Sequence, residues 1–280
     1  MNKWDIGAST CGRETLTDSV FEEYKDAGIK YMEFSLKNIE NYNDPDEKTE
    51  AIISHDIAKI KSAAMRNNVI IWSLHLPFGA GYYDISCEER EKRQNAVEKY
   101  SRLIEYTAEI DAKIAVLHPS FEPIEDSLRE ERLKLSTDSL YTLSKVAKKC
   151  GIKLAVENLP RTCIGRTSDE IARLISADDS LGVCFDVNHL LLESHKDFVS
   201  AVGNKIITVH ISDYDFLDER HWLPGKGKID WKELIGLLKD AGYSGPFMNE
   251  VGGRLRTEEN DRCTYAEIFN TNKKMLDRYF

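Results

Sequence analysis

Apolar residues fall into eight short runs, at 3–8, 31–36, 69–75, 112–118, 152–157, 181–186, 205–211 and 245–251. The runs are nearly continuous rather than alternating, as expected of strands buried on both faces of a parallel sheet. Longer stretches of mixed polarity separate them, and these predict helices over 17–28, 46–67, 88–109, 126–149, 168–177, 191–202, 230–241 and 260–279. Thr17 is placed to cap the first helix and Gly28 to stop it. The segments KDAGIKYMEF, KKCGIKLAVE and KDAGYSGPFM each join a charged helix end to an apolar strand through glycine. Eight such units predict an α/β fold, a (β/α)8 TIM barrel. No linker or low-complexity tract interrupts 1–280, so a single domain is expected. An open nucleotide-binding sheet is disfavoured, because ASTCGRET after the first strand has neither GxGxxG nor GxxxxGK.

Polar residues recur where the runs end. Glu157 closes KLAVE, Asp186 closes LGVCFD, His210 stands in IITVHISD and Glu250 in GPFMNEV. Charges at the ends of apolar segments need partners, since burying them unpaired is costly. Four on successive strands point to one shared partner, a metal ion. His75 and His118 end the third and fourth strands, His189 follows Asp186 by three residues, and Glu219 and His221 lie in the loop after strand seven. Barrel active sites lie at the carboxyl ends of the strands, and neighbouring strands are about 4.8 Å apart, so these side chains can converge. A lone histidine there is more often structural, and a lone carboxylate is about as often a cap or salt-bridge partner as a ligand, but six strands ending alike is not explained by packing. Three carboxylates and one imidazole make a hard site suited to one divalent ion (Mn, Mg, Co or Zn) and unsuited to Cu(I) or an iron–sulfur cluster.

The net charge of −10 argues against sequence-independent attraction to nucleic acid or anionic lipid. No apolar stretch is long enough to span a membrane. MNKWDIGAST lacks the apolar core of a signal peptide, so a cytoplasmic location is expected. The cysteines at 11, 87, 150, 163, 184 and 263 form no CxxC pair and read as reduced thiols; neither a zinc-thiolate site nor a thiol nucleophile is expected.

The motifs HLPF (75–78), LHPSFEP (117–123), ENLP (157–160), GVCFDVNH (182–189), HISDYDF (210–216), HWLPGKGKIDW (221–231) and NEV (249–251) resemble those of the xylose isomerase-like TIM barrels. Within that group the chain looks like the sugar phosphate isomerase/epimerase family, which also includes endonuclease IV. The resemblance covers essentially the whole length. It implies a metal-dependent sugar or sugar phosphate isomerase or epimerase acting through a metal-stabilised enediolate. One ion would be held by Glu157, Asp186, His210 and Glu250, with Glu157 and Glu250 doubling as acid and base and His189 binding substrate oxygens. A small-molecule sugar is the implied partner, and a homodimer or homotetramer the implied assembly.

Ketose 3-epimerases carry an arginine about six residues after the strand-seven histidine; Phe216 stands there, which leaves Arg220 or Lys226 as substitutes. The alternative implied by the resemblance is an endonuclease IV-like phosphodiesterase at abasic DNA sites. Its two or three zinc ions would use His75, His118, His189 and His221, with Glu219 where that family has aspartate. A cyclic-polyol dehydratase or lyase is a third alternative. Glu33 is a candidate substrate contact, Arg161, Arg166, Arg254 and Arg256 candidate phosphate contacts, and Trp4, Phe78, Tyr82 and Tyr83 a candidate apolar wall.

Overall fold

Strands and helices alternate through the chain: β1 (Ile6–Ser9), α1 (Asp18–Ala27), β2 (Tyr31–Ser35), α2 (Glu47–Arg66), β3 (Ile70–His75), α3 (Arg90–Glu109), β4 (Ile114–Leu117), α4 (Arg129–Cys150), β5 (Lys153–Glu157), α5 (Ser168–Ile175), β6 (Gly182–Asp186), α6 (His195–Val202), β7 (Ile206–His210), α7 (Trp231–Asp240), β8 (Phe247–Asn249) and α8 (Tyr265–Tyr279). The computed structural model describes residues 3–10, 17–35, 47–79, 82–252 and 263–280, those at 47–54 by backbone alone. Cys11, Arg254 and Arg256 lie outside the described residues.

The strands run parallel in the order β7-β6-β5-β4-β3-β2-β1-β8. A bridge between Ile211 and Asn249 closes the circle: Ile211 N donates to Met248 O (2.8 Å) and Glu250 N to Ile211 O (3.0 Å). The expected (β/α)8 barrel is therefore what forms. Its closing seam runs between the residues that follow His210 and precede or include Glu250. No helix among the described residues is long and apolar enough to cross a membrane.

Element ends differ from expectation for local reasons. β8 starts at Phe247 rather than Gly245, because Pro246 has no N–H to give to a ladder. α6 begins at His195, after the Ser194 hydroxyl accepts from Asp197 N and caps the helix. Thr17 does precede α1, but its hydroxyl pairs with Ser19 (2.7 Å) instead of capping backbone. Gly28 ends that helix as expected, at φ 83°, a left-handed conformation that glycine adopts without Cβ strain.

Residues two apart on a strand share a face, and this carries the site. Ile114, Val116, Ala155 and Cys184 form a separate apolar cluster within the barrel. Glu157 and Asp186 sit two positions beyond Ala155 and Cys184, on the same inner face and nearer the carboxyl end. Val156, Phe185 and Val209 point the other way, into the main core between strands and helices. Phe185 stacks on Phe198 of α6 with ring centroids 4.6 Å apart. Burying each such ring contributes about 1.5–3 kcal/mol, which anchors β6 and with it Asp186.

Candidate functional site

The four strand-end residues meet. His210 Nδ1 lies 3.1 Å from Glu157 Oε1, 3.2 Å from Glu250 Oε2 and 3.7 Å from Asp186 Oδ2. One ligating atom from each of the four lies within 4.8 Å of all the others, and all four residues are buried. A single ring nitrogen cannot serve three carboxylates. Asp186 Oδ1 accepts from Asn188 N (2.7 Å), but Oδ2 is sealed from solvent without a hydrogen-bond partner. Three buried carboxylates facing one imidazole, one of them with an orphaned oxygen, fit a divalent cation.

Burial works against the charge on each of these groups, but their neighbours outweigh it. Burial pushes the Glu157 carboxyl up, yet the imidazoles of His210 and His118 hold it well below the usual carboxylate range. Glu250 is likewise held well below that range by His210 and His221. Burial disfavours the His210 imidazolium, while the carboxylates of Glu33, Glu250 and Glu157 drive it well above the ordinary histidine value. Cys184 lies at ligating distance from Glu157 and His210. Burial pushes its thiol well above the ordinary value, as expected of an inert thiol rather than a thiolate ligand.

A second ring of side chains surrounds this centre. His75 Nε2 (3.1 Å) and His118 Nε2 (3.2 Å) both face Glu157 Oε2. His75 is further held by Leu76 O at 2.8 Å from its Nδ1. His189 Nε2 lies 3.1 Å from Glu219 Oε2 and 3.5 Å from Asp186 Oδ2, and its Nδ1 is 2.9 Å from Asn158 O. His221 Nδ1 is 3.1 Å from Glu250 O. Further triads thus gather ligating atoms within 4.8 Å, among them His75, His118 and Glu157, and His189, Glu219 and His221. Phe78 stacks on His118, with centroids 4.1 Å apart and planes at 17°, making one apolar wall.

Other expected contacts lie elsewhere. Arg161 is spent on Glu122 (2.5 Å), Asp218 (3.0 Å) and Glu219 (3.1 Å), so it ties loops together and has no spare charge for a phosphate. Arg166 pairs with Asp126 at 3.3 Å. Arg220 is held by Asp215 at 3.0 Å, Lys226 is exposed, and neither is paired with the central four. Phe216, in the place of the epimerase arginine, packs on Tyr214 and His195. Trp4 packs with Tyr243, Phe247 and Phe280, before the amino end of β1 and away from the mouth. Tyr83 is buried against Tyr100, and Tyr82 is exposed beneath Lys99. Glu33 is fully buried on the inner face, beside His210.

Three supporting residues escape a reading of strand ends. Asn158 locks β5 to β6, donating to Asp186 O (2.9 Å) and accepting from Asp186 N (2.8 Å). Ser73 donates to Glu33 Oε2 at 2.7 Å. Asp213 organises the loop after β7, accepting from Gly225 N (2.8 Å), Ile229 N (3.2 Å) and Trp231 Nε1 (3.1 Å). Asn158 in ENLP and Asp213 in HISDYDF stand inside quoted motifs, while Ser73 carries no signal in the sequence.

A closed parallel barrel with carboxylates and imidazoles gathered at its carboxyl mouth defines the class: an α/β barrel with its chemistry on the loop face. Residues 21–268 match the family described as xylose isomerase-like TIM barrel, and the chain belongs to that family. It is 31% identical over 209 residues to the uncharacterized protein MJ1311 of Methanocaldococcus jannaschii, covering 70% of each chain. It is 28% identical over 209 residues to the inosose isomerase of Bacillus licheniformis, covering 69% of this chain and 73% of that one. With the D-psicose 3-epimerase of Ruminiclostridium cellulolyticum it shares 24% identity over 235 residues, 79% of this chain and 78% of that one.

Proposed function

We propose that this protein is a metal-dependent isomerase or epimerase of sugars or sugar phosphates. One observation carries the reading: Glu157, Asp186, Glu250 and His210 Nδ1 converge on one buried point while Asp186 Oδ2 lacks a partner. The relatives named isomerase and epimerase support the reaction class. A divalent ion held by these four residues would supply positive charge beside the substrate's carbonyl and hydroxyl oxygens, acidifying the adjacent C–H and stabilising an enediolate. Glu157 and Glu250 then take and return the proton. Each places a carboxylate oxygen at the shared point, and a carboxylate must be ionised before it accepts a proton. They reach in from β5 and β8, three strands apart around the barrel. Proton return to the opposite face inverts the centre; return to the neighbouring carbon interconverts aldose and ketose. His189 is the proposed donor to substrate oxygens, and Phe78 the surface for the substrate's apolar face.

Incubation of candidate ketoses with the Mn-loaded protein in deuterated water tests this. Deuterium at the carbon next to the carbonyl is the expected result, and product formed without exchange would overturn the proton-transfer route.

A second reading rests on the two additional triads, each able to hold a further ion. Two or three zinc ions would make the centre similar to that of a phosphodiesterase acting at abasic DNA. The net charge of −10 opposes a DNA partner. Metal stoichiometry on protein purified without chelator separates the two: one ion per chain supports the isomerase, and two or three with cleavage of an abasic duplex support the nuclease.

A further inference from the structure

Glu33 occupies a position that neither substrate binding nor packing explains. It lies on β2, fully buried and beside His210 of the four converging residues. Met32 and Phe34 on either side of Glu33 pack into the main core, so alternation along β2 turns Glu33 inward, and the β2–β3 register shift, which passes over Trp72 of β3, sets Ser73 opposite it. The result is a carboxylate inside the barrel. Its Oε2 accepts from Ser73 Oγ (2.7 Å), and its Oε1 lies 3.0 Å from His210 Nε2. Both Glu33 Oε1 and His210 Nε2 are sealed from solvent, and neither has an aligned hydrogen bond to any other group. Each is therefore the natural partner of the other.

That pairing has a consequence at the opposite edge of the ring. Nδ1 of His210 is the nitrogen that faces Glu157, Asp186 and Glu250. A ring nitrogen binds a cation only through a lone pair, so the proton must sit on the other nitrogen. An acceptor beside Nε2 enforces that tautomer and fixes the ring plane.

We propose that Glu33 is a positioning residue: it holds the Nε2 proton of His210 and thereby presents Nδ1 to the ion, with Ser73 orienting the carboxylate. The inference rests on the reading of Glu157, Asp186, His210 and Glu250 as the metal-binding set. It assigns Glu33 to the ion and not to the substrate.

Isothermal titration of chelator-treated protein with Mn(II) tests it, alongside 15N NMR of His210 in the diamagnetic Zn(II)-loaded form. Glu33→Leu removes the acceptor and is expected to weaken Mn(II) binding about 10- to 100-fold, the usual loss when such a partner is removed. Glu33→Gln, which keeps an acceptor oxygen, is expected to recover part of that affinity. The wild type is expected to show a protonated Nε2, and Ser73→Ala and Glu33→Gln to shift that resonance. Unchanged affinity and unchanged His210 resonances in the Glu33 variants, while Asp186→Asn loses the ion, would overturn this inference alone. A wild type that binds no Mn(II) would overturn the metal reading, and the role of Glu33 with it. Should Glu33→Leu not fold, Glu33→Gln and Ser73→Ala carry the same decision.

Discussion

His189 and Glu219 reach each other at 3.1 Å, one from the turn after β6 and the other from the loop after β7. Burial opposes the charge on His189, but Asp186, Glu219 and Glu157 raise its pKa from 6.5 to about 10. Burial likewise opposes the charge on Glu219, but His189 and Arg161 lower its pKa from 4.5 to about 2. The folded chain thus holds the histidine proton more tightly than the unfolded chain does. That stabilisation is complete below pH 6.5 and lost as pH rises through about 10. The carboxylate contribution is complete above pH 4.5 and lost as pH falls through about 2. In metal-free protein, Glu219→Gln should therefore cost most between pH 4.5 and 6.5, on the order of 3–5 kcal/mol, and progressively less above. Thermal unfolding of both proteins from pH 4 to about 10 checks this; a pH-independent difference would show that the pair is not charged.

Ion removal should be visible in stability before activity is known. Binding only to the folded state stabilises by about 2.7 kcal/mol at a free ion concentration 100 times Kd. Chelator should lower the Tm accordingly, and added Mn(II) or Zn(II) should restore it. Asp186→Asn should show no such response. A Tm indifferent to chelator in protein first shown to contain an ion would contradict a site formed by these buried side chains.

Glu157→Gln and Glu250→Gln should each reduce turnover about 10²- to 10⁴-fold, the range for loss of a general acid or base. Far-UV circular dichroism should be unchanged. The two should differ in metal affinity, because Glu157 is also faced by His75 and His118 at hydrogen-bonding distance, whereas Glu250 has His221 beside it at 3.9 Å. Wild-type-like turnover in either variant would remove that residue from the chemistry.

Gly227→Ala should disturb the loop after β7 while sparing the barrel. A Cβ there would stand 2.2 Å from Asp213 Oδ1 and 2.3 Å from Tyr214 O, too close without moving backbone. The expected cost is about 1–3 kcal/mol. Binding of any second ion, which would use Glu219 and His221 from this loop, should be lost before binding at the central four. Protease sensitivity near Leu217, exposed at 76%, should rise while the melting of the barrel remains cooperative.

Much of this molecule is legible along the chain because its candidate site sits where strands end. A parallel barrel needs eight apolar runs with helices between them, and an active site at the carboxyl mouth needs polar residues just after those runs. Glu157, Asp186, His210 and Glu250 satisfy both conditions, so period and punctuation alone locate them. Side chains that act from mid-strand or from a loop carry no such mark. Glu33 reads as one polar residue in YMEFS, and nothing local says that barrel closure sets it beside His210, 177 positions later in the chain. Arg161 and Arg220 read as free cations on loops, and only folding brings Glu122, Asp218, Glu219 and Asp215 against them.

By itself the sequence determined the alternation of elements, the barrel they close into and the four residues at its strand ends, because backbone period and burial are local and repetitive. Tertiary structure alone decided which nitrogen of His210 faces the carboxylates, which charges are already paired, and that Asp186 keeps an oxygen without a partner. Those are distances of a few ångströms between residues tens to hundreds of positions apart. They depend on register and closure across the whole barrel, which no short window of sequence contains.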